Sequence, residues 1–77
     1  EFVAKKMLQN LGGKENIASL ECCATRLRIE VKDAQKVETD KIRQMGVKGV
    51  VFLTDTSLQV VVGTSVQKVK AAMDEML

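Results

Sequence analysis

The 77-residue chain has no histidine, proline, tryptophan or tyrosine, and its aromatic residues are Phe2 and Phe52. Without histidine, Cys22 and Cys23 have no nitrogen partner for a tetrahedral zinc site, and two adjacent thiols do not make one. Neighbouring cysteines rarely close a disulfide without strained geometry. Their spacing also lacks the Cys-x-x-Cys of dithiol redox proteins. Two unpaired thiols in a small domain point to a reducing compartment, so a cytoplasmic location is expected. No apolar run approaches the ~18–20 residues needed to cross a bilayer, and neither a signal peptide nor a low-complexity tail is visible. The formal net charge of +2 is too small for a general binder of nucleic acid or membrane surfaces. Residues 1–77 are expected to form one domain, burying only ~60% of the unfolded surface. The start at Glu1 reads as a module taken from a longer protein.

What is present alternates between helical and strand periodicity. Ala4, Met7, Leu8 and Leu11 recur at helical spacing from Glu1 to Leu11, and Gly12-Gly13 stops that helix. Lys14-Glu15-Asn16 reads as a loop. From Ile17 to Cys22 the period becomes two, with Ala18, Leu20 and Cys22 expected inward and Ser19, Glu21 and Cys23 outward. Arg26 to Val31 repeats it more clearly, Leu27, Ile29 and Val31 alternating with Arg26, Arg28 and Glu30. Ala24-Thr25 is the expected turn between the two strands. Thr39 or Asp40 is expected to cap a short helix through Met45, ended by Gly46. After Gly49 comes an apolar strand to Leu53, then a turn at Thr54–Ser57 and a partner strand over Leu58–Val62. Thr64 or Ser65 is expected to cap a last helix with Val66, Val69, Met73 and Met76 on one stripe. The pattern predicts an α+β fold, a four-stranded antiparallel sheet with three helices packed on one face in the order helix, hairpin, helix, hairpin, helix. The other face is left to water or a partner.

The chemistry concentrates in Glu21–Arg28. Alternation turns Cys22 inward and Cys23 outward, onto the face that carries Arg26 and Arg28. A two-residue turn puts Arg26 opposite Cys23 and Arg28 on the diagonal, within reach of a long side chain. Cations beside a thiol favour the nucleophilic thiolate, and guanidinium groups bind phosphoryl oxygens in pairs. The Thr25 hydroxyl and the amides of the Ala24-Thr25 turn add donors, as a backbone nest does. Packing competes as the account of a cysteine in a strand, more strongly for Cys22 than for Cys23. Gly46-Val47-Lys48-Gly49 matches the GxxG loop that grips nucleic acid, but an apolar strand follows it, so helix stop and strand entry is the better account. The four methionines fit core filling better than a flexible binding surface.

At Cys23-Ala24-Thr25-Arg26-Leu27-Arg28 the chain resembles the IIB domain of the glucose superfamily of bacterial phosphoenolpyruvate-dependent sugar phosphotransferase systems. The resemblance extends upstream to Gly12-Gly13-Lys14-Glu15-Asn16-Ile17 and downstream through Met45–Val50, the Gln59 strand ending at Gly63 and the last helix. It implies an antiparallel sheet with helices on one face, and a cysteine that accepts a phosphoryl group from a phosphohistidine on a IIA partner. The phosphocysteine then phosphorylates a sugar held by the membrane-embedded IIC permease during uptake. Carried over by motif, Cys23 is the phosphorylated residue, Arg26 and Arg28 stabilise the transferring group, and Thr25, with Ala24, holds phosphate. Neither metal nor cofactor is implied, and the domain is placed on the cytoplasmic side of the bacterial inner membrane, with no nucleic-acid partner. Cys22, the Thr54-Asp55-Thr56-Ser57 turn and Val62 depart from the family pattern. Two other functions stay open: a non-catalytic adaptor binding a protein through Val51, Leu53 and Val61, and a thiol redox sensor at Cys23.

Overall fold

Strict alternation of apolar and charged residues makes Arg26–Val31 an interior strand of the protein. Leu27, Ile29 and Val31 are buried, while Arg26, Arg28 and Glu30 are exposed. The computed structural model describes residues 2–77, the side chain of Phe2 excepted, so the expected helix start at Glu1 lies outside the described residues. The elements are α1 (Phe2–Asn10), β1 (Ile17–Cys22), β2 (Arg26–Val31), α2 (Thr39–Gln44), β3 (Gly49–Phe52), β4 (Ser57–Val61) and α3 (Val66–Met76). Single 3-10 turns occupy Lys14–Asn16, which the sequence reads as a loop, and Ala34–Lys36.

The four strands form one antiparallel sheet in the order β1-β2-β4-β3. Its inward face supplies Leu20, Leu27, Ile29, Val31, Val50, Leu58 and Val60 to the core. Against them lie Ala4, Met7, Leu8 and Leu11 of the first helical segment, Ile42 of α2, and Val66 and Met73 of α3. Helix α3 packs on β1 and β2, α2 packs on β3, and α1 packs on both other helices. The period-3.6 stripes read in the sequence are thus the buried faces of the helices.

A buried amide organises the entry to the sheet. Asn16 is 3% exposed, and its Nδ2 donates to the Leu11 carbonyl at 2.7 Å and the Asp33 carbonyl at 3.0 Å. Its Oδ1 accepts from the Asp33 amide at 2.8 Å. One side chain thereby ties the end of α1 to the exit of β2, and its polar atoms are satisfied where an unpaired amide would cost about 1–3 kcal/mol. Gly12 makes room for it. A Cβ there would lie 2.7 Å from Asn16 Nδ2, and φ is +103°, a conformation open to glycine at little cost.

Several local expectations are corrected. Ala18 is exposed, because the register shifts between Ile17 and Ser19. This bulge turns Ile17, opposite Val31, and Leu20 both toward the core, where strict alternation would separate them. Neither Thr39 nor Asp40 caps α2. Glu38 precedes it without a side-chain cap, and Ser65 likewise makes no cap bond to α3. Strand β4 ends at Val61 because the next amides turn to a different acceptor, described below. The Thr54–Ser57 turn is closed by Thr54 Oγ1, which accepts from the amides of Thr56 at 3.3 Å and Ser57 at 3.1 Å.

Candidate functional site

The β1–β2 turn places the thiol. Cys22 pairs with Leu27 in the ladder, and beyond it the Cys23 amide donates to the Arg26 carbonyl at 2.8 Å. Ala24-Thr25 is therefore a two-residue connection. No non-glycine residue has positive φ among the described residues, so it is not the type I′ turn that both central residues would need φ > 0 to form. Its geometry is held from the side instead. The Thr25 carbonyl accepts from the amides of Val62 and Gly63, each at 2.9 Å. Gly63, with φ +112°, bends the chain away after that double contact. The cysteine turn is thus fastened to the end of β4 by two backbone bonds.

Alternation then separates the two thiols. Cys22 is half-buried and packs against the core, whereas Cys23 is exposed. On the open face, Arg28 Nη1 lies 3.8 Å from Cys23 Sγ. The diagonal reach expected for Arg28 is what the structure shows. Arg26 does otherwise: its Nη1 donates to Gln59 Oε1 at 2.9 Å. Gln59 is the β4 neighbour of Arg28 in the ladder, one row from Arg26. The site therefore contains one arginine at the sulfur and a second held beside it by an amide.

Gln59 is the residue that the motif alone did not bring to the site. It stands 33 positions from Arg26, and its outward phase in Ser57–Val61 is the only local signal that could have flagged it. Ala24 and Thr25 are exposed at the tip. Among the described residues the Thr25 hydroxyl and the amides of Ala24 and Thr25 donate to no protein group, so all three are open to an external acceptor. Across the same face run Glu21, opposite Arg28 on β1, and Val61 and Val51, opposite Arg26 and Gln59. Val51 and Leu53 are 44% and 57% exposed. No group of three or more histidine, cysteine, aspartate or glutamate side chains gathers as a metal site among the described residues. The assembly of an exposed thiol, a guanidinium at its sulfur and free amides at its turn can hold a tetrahedral oxyanion on sulfur.

Known proteins resemble the chain in both sequence and fold. Residues 5–38 match the family model for the phosphotransferase system, EIIB. The chain is 47% identical over 72 residues to the PTS system alpha-glucoside-specific EIICB component of Leptotrichia buccalis, covering 92% of this chain and 13% of that protein. It is also 47% identical over 67 residues to the PTS system maltose-specific EIICB component of Escherichia coli, covering 87% of this chain and 13% of the relative. It thus spans only a small part of the length of these relatives. The crystal structure of one domain of the PTS system IIabc component from Clostridium difficile superposes with a TM-score of 0.82 at 32% identity, covering 99% of this chain and 79% of that one. With sequence and fold in agreement, the chain belongs to the EIIB family, as a IIB domain of the glucose superfamily of the sugar phosphotransferase system.

Proposed function

We propose that residues 1–77 act as one phosphotransfer module in which Cys23 carries the phosphoryl group between a IIA donor and a sugar bound by a IIC permease. The observation that carries this reading is the 3.8 Å approach of Arg28 Nη1 to the exposed Cys23 sulfur. The thiolate attacks the phosphorus of the donor's phosphohistidine in line, the S–P bond forms and the P–N bond breaks. Charge on the three equatorial oxygens is met by Arg28, by the Ala24 and Thr25 amides and the Thr25 hydroxyl, and by the remaining N–H groups of Arg26, which Gln59 holds in position. In the second transfer a sugar hydroxyl attacks phosphorus and gives up its proton, and the Cys23 thiolate departs. The same fixed cations serve both directions because the trigonal phosphoryl group presents the same oxygens to them. On this reading the domain works at the cytoplasmic side of the bacterial inner membrane, beside its permease. Among the described residues no helix is long and apolar enough to cross a membrane.

Intact-mass spectrometry tests it, after incubation with phosphoenolpyruvate, the general phosphotransferase proteins and a IIA protein. One phosphoryl mass is expected on the natural chain and on Cys22→Ala, and none on Cys23→Ala. Phosphorylation that persists in Cys23→Ala refutes the assignment. The exposure of Val51 and Leu53 on the open face favours a second reading, a non-catalytic adaptor. That reading requires Cys23→Ala to leave every activity intact.

A further inference from the structure

The end of the sheet that carries the cysteine turn also carries a cation outside the motif. The Lys48 amide donates to the Val61 carbonyl at 2.8 Å, which places Lys48 one residue before β3 at the end of the ladder. Its side chain runs back along that end. Lys48 Nζ and Cε each lie 3.9 Å from where a Cβ on Gly63 would stand. Gly63 is the residue whose amide, with that of Val62, holds the Thr25 carbonyl. The ammonium is thus one backbone layer from the tip of the cysteine turn. Lys48 is exposed, and its side chain has no ion pair or hydrogen bond among the described residues.

The charge around it is one-sided. The segments that meet at this end, residues 22–26, 47–49 and 61–65, contain Arg26 and Lys48 and no carboxylate. Acidic residues collect at the other end, where Glu30 and Asp33 leave β2 and Asp55 tips the β3–β4 turn. Lys48 is also out of phase with the open face. Gly49, Val51 and Val61 share the row system of Arg26 and Gln59, whereas Lys48 lies one residue off it, at the sheet's end.

Resting on the phosphotransfer reading above, we propose that Lys48 is a docking cation for the phosphorylated donor protein, drawing its phosphoryl-bearing face across the end of the sheet beside Thr25 and Gly63. A phosphoryl group carries close to two negative charges at neutral pH, and a cation at the rim of a binding surface acts mainly on the rate of encounter. Lys48 is not placed against the sulfur, so it speeds approach and leaves the chemical step to Arg28 and its neighbours.

Rapid-quench transfer from a phosphohistidine-bearing IIA protein to the natural chain, Lys48→Met, Lys48→Glu and Lys48→Arg separates these roles. At low salt the second-order rate should fall ~2- to 5-fold in Lys48→Met and further in Lys48→Glu, with Lys48→Arg near the natural rate. The deficits should shrink as added salt shortens the screening length to ~3 Å near 1 M. The first-order rate at saturating donor should stay within about twofold, and the melting temperature should not move, as for most surface substitutions. Unchanged second-order rates in Lys48→Met and Lys48→Glu overturn the proposal, as does a deficit that salt fails to relieve or one confined to the saturated rate. No transfer to the natural chain, with the donor active on another IIB domain, overturns the phosphotransfer reading itself.

Discussion

Replacing Arg28 by methionine removes the one guanidinium that touches the sulfur and keeps most of the side chain's apolar stem. Two unit charges 3.8 Å apart interact by about 1 kcal/mol in water and about 4 kcal/mol at an effective dielectric of 20. Arg28 and Cys23 are both exposed, which favours the lower part of that range. A hydrogen bond to a charged group contributes about 1.5–3 kcal/mol. The two bounds overlap near 1.5–2.5 kcal/mol, equivalent to a ~10- to 70-fold slower transfer at 1.36 kcal/mol per decade. Arg28→Lys should fall between the two, keeping the charge but losing the fork that grips two oxygens. The assay is single-turnover phosphoryl transfer from a saturating IIA donor to Cys23, followed by intact mass. Thermal unfolding serves as the control for folding, since an exposed position should shift stability by no more than ~0.5 kcal/mol. Transfer by Arg28→Met within twofold of the natural chain, with folding intact, would show that this guanidinium does not stabilise the transferring group.

The Arg26–Gln59 contact predicts coupling: in a double-mutant cycle of Arg26→Met and Gln59→Leu on transfer rate, the two losses should be non-additive by ~0.5–1 kcal/mol, and strict additivity would mean that the amide does not position Arg26. Asn16→Ala leaves the Leu11 and Asp33 carbonyls and the Asp33 amide without their buried partner, so urea unfolding should show a loss of ~2–4 kcal/mol, and a loss under ~1 kcal/mol would refute the clamp. Leu27→Ala empties a fully buried position between the two arginines, and should cost ~3–4 kcal/mol in the same assay. Lys70 has its pKa raised above 10.5, first through the hydrogen bond to Asp74 and then through nearby negative groups. Because the folded value is the higher one, the stabilisation is complete below the unfolded value and is lost as pH rises through the folded one. The melting-point gap between the natural chain and Lys70→Met should hold from neutral to mildly alkaline pH and close above the raised pKa. A gap that widens there would contradict the sign.

Local periodicity sufficed where a single face decided the outcome. In Arg26–Val31 every second residue had to be apolar for one side of the strand to be buried, so the exposure of Arg26 and Arg28 and the core position of Leu27 were legible at once. The two-residue spacing across Ala24-Thr25 likewise carried Cys23 outward, Cys22 inward and Arg28 onto the diagonal. The helical stripes of Ala4, Met7, Leu8 and Leu11, and of Val66 and Met73, were legible for the same reason. Contacts between distant segments were not, because an alternating pattern states which face a strand buries and not which strand lies beside it. Only tertiary structure set β4 next to β2, and with it Gln59 beside Arg26, the Val62 and Gly63 amides on the Thr25 carbonyl, and Lys48 at the same end of the sheet. The bulge that exposes Ala18 arises likewise from the need of Ile17 and Leu20 to reach one core, a demand that no stretch of six residues expresses by itself. Sequence alone thus determined the exposed thiol and its nearest cation, since both lie within one hairpin. Strand pairing across the sheet decided what surrounds them.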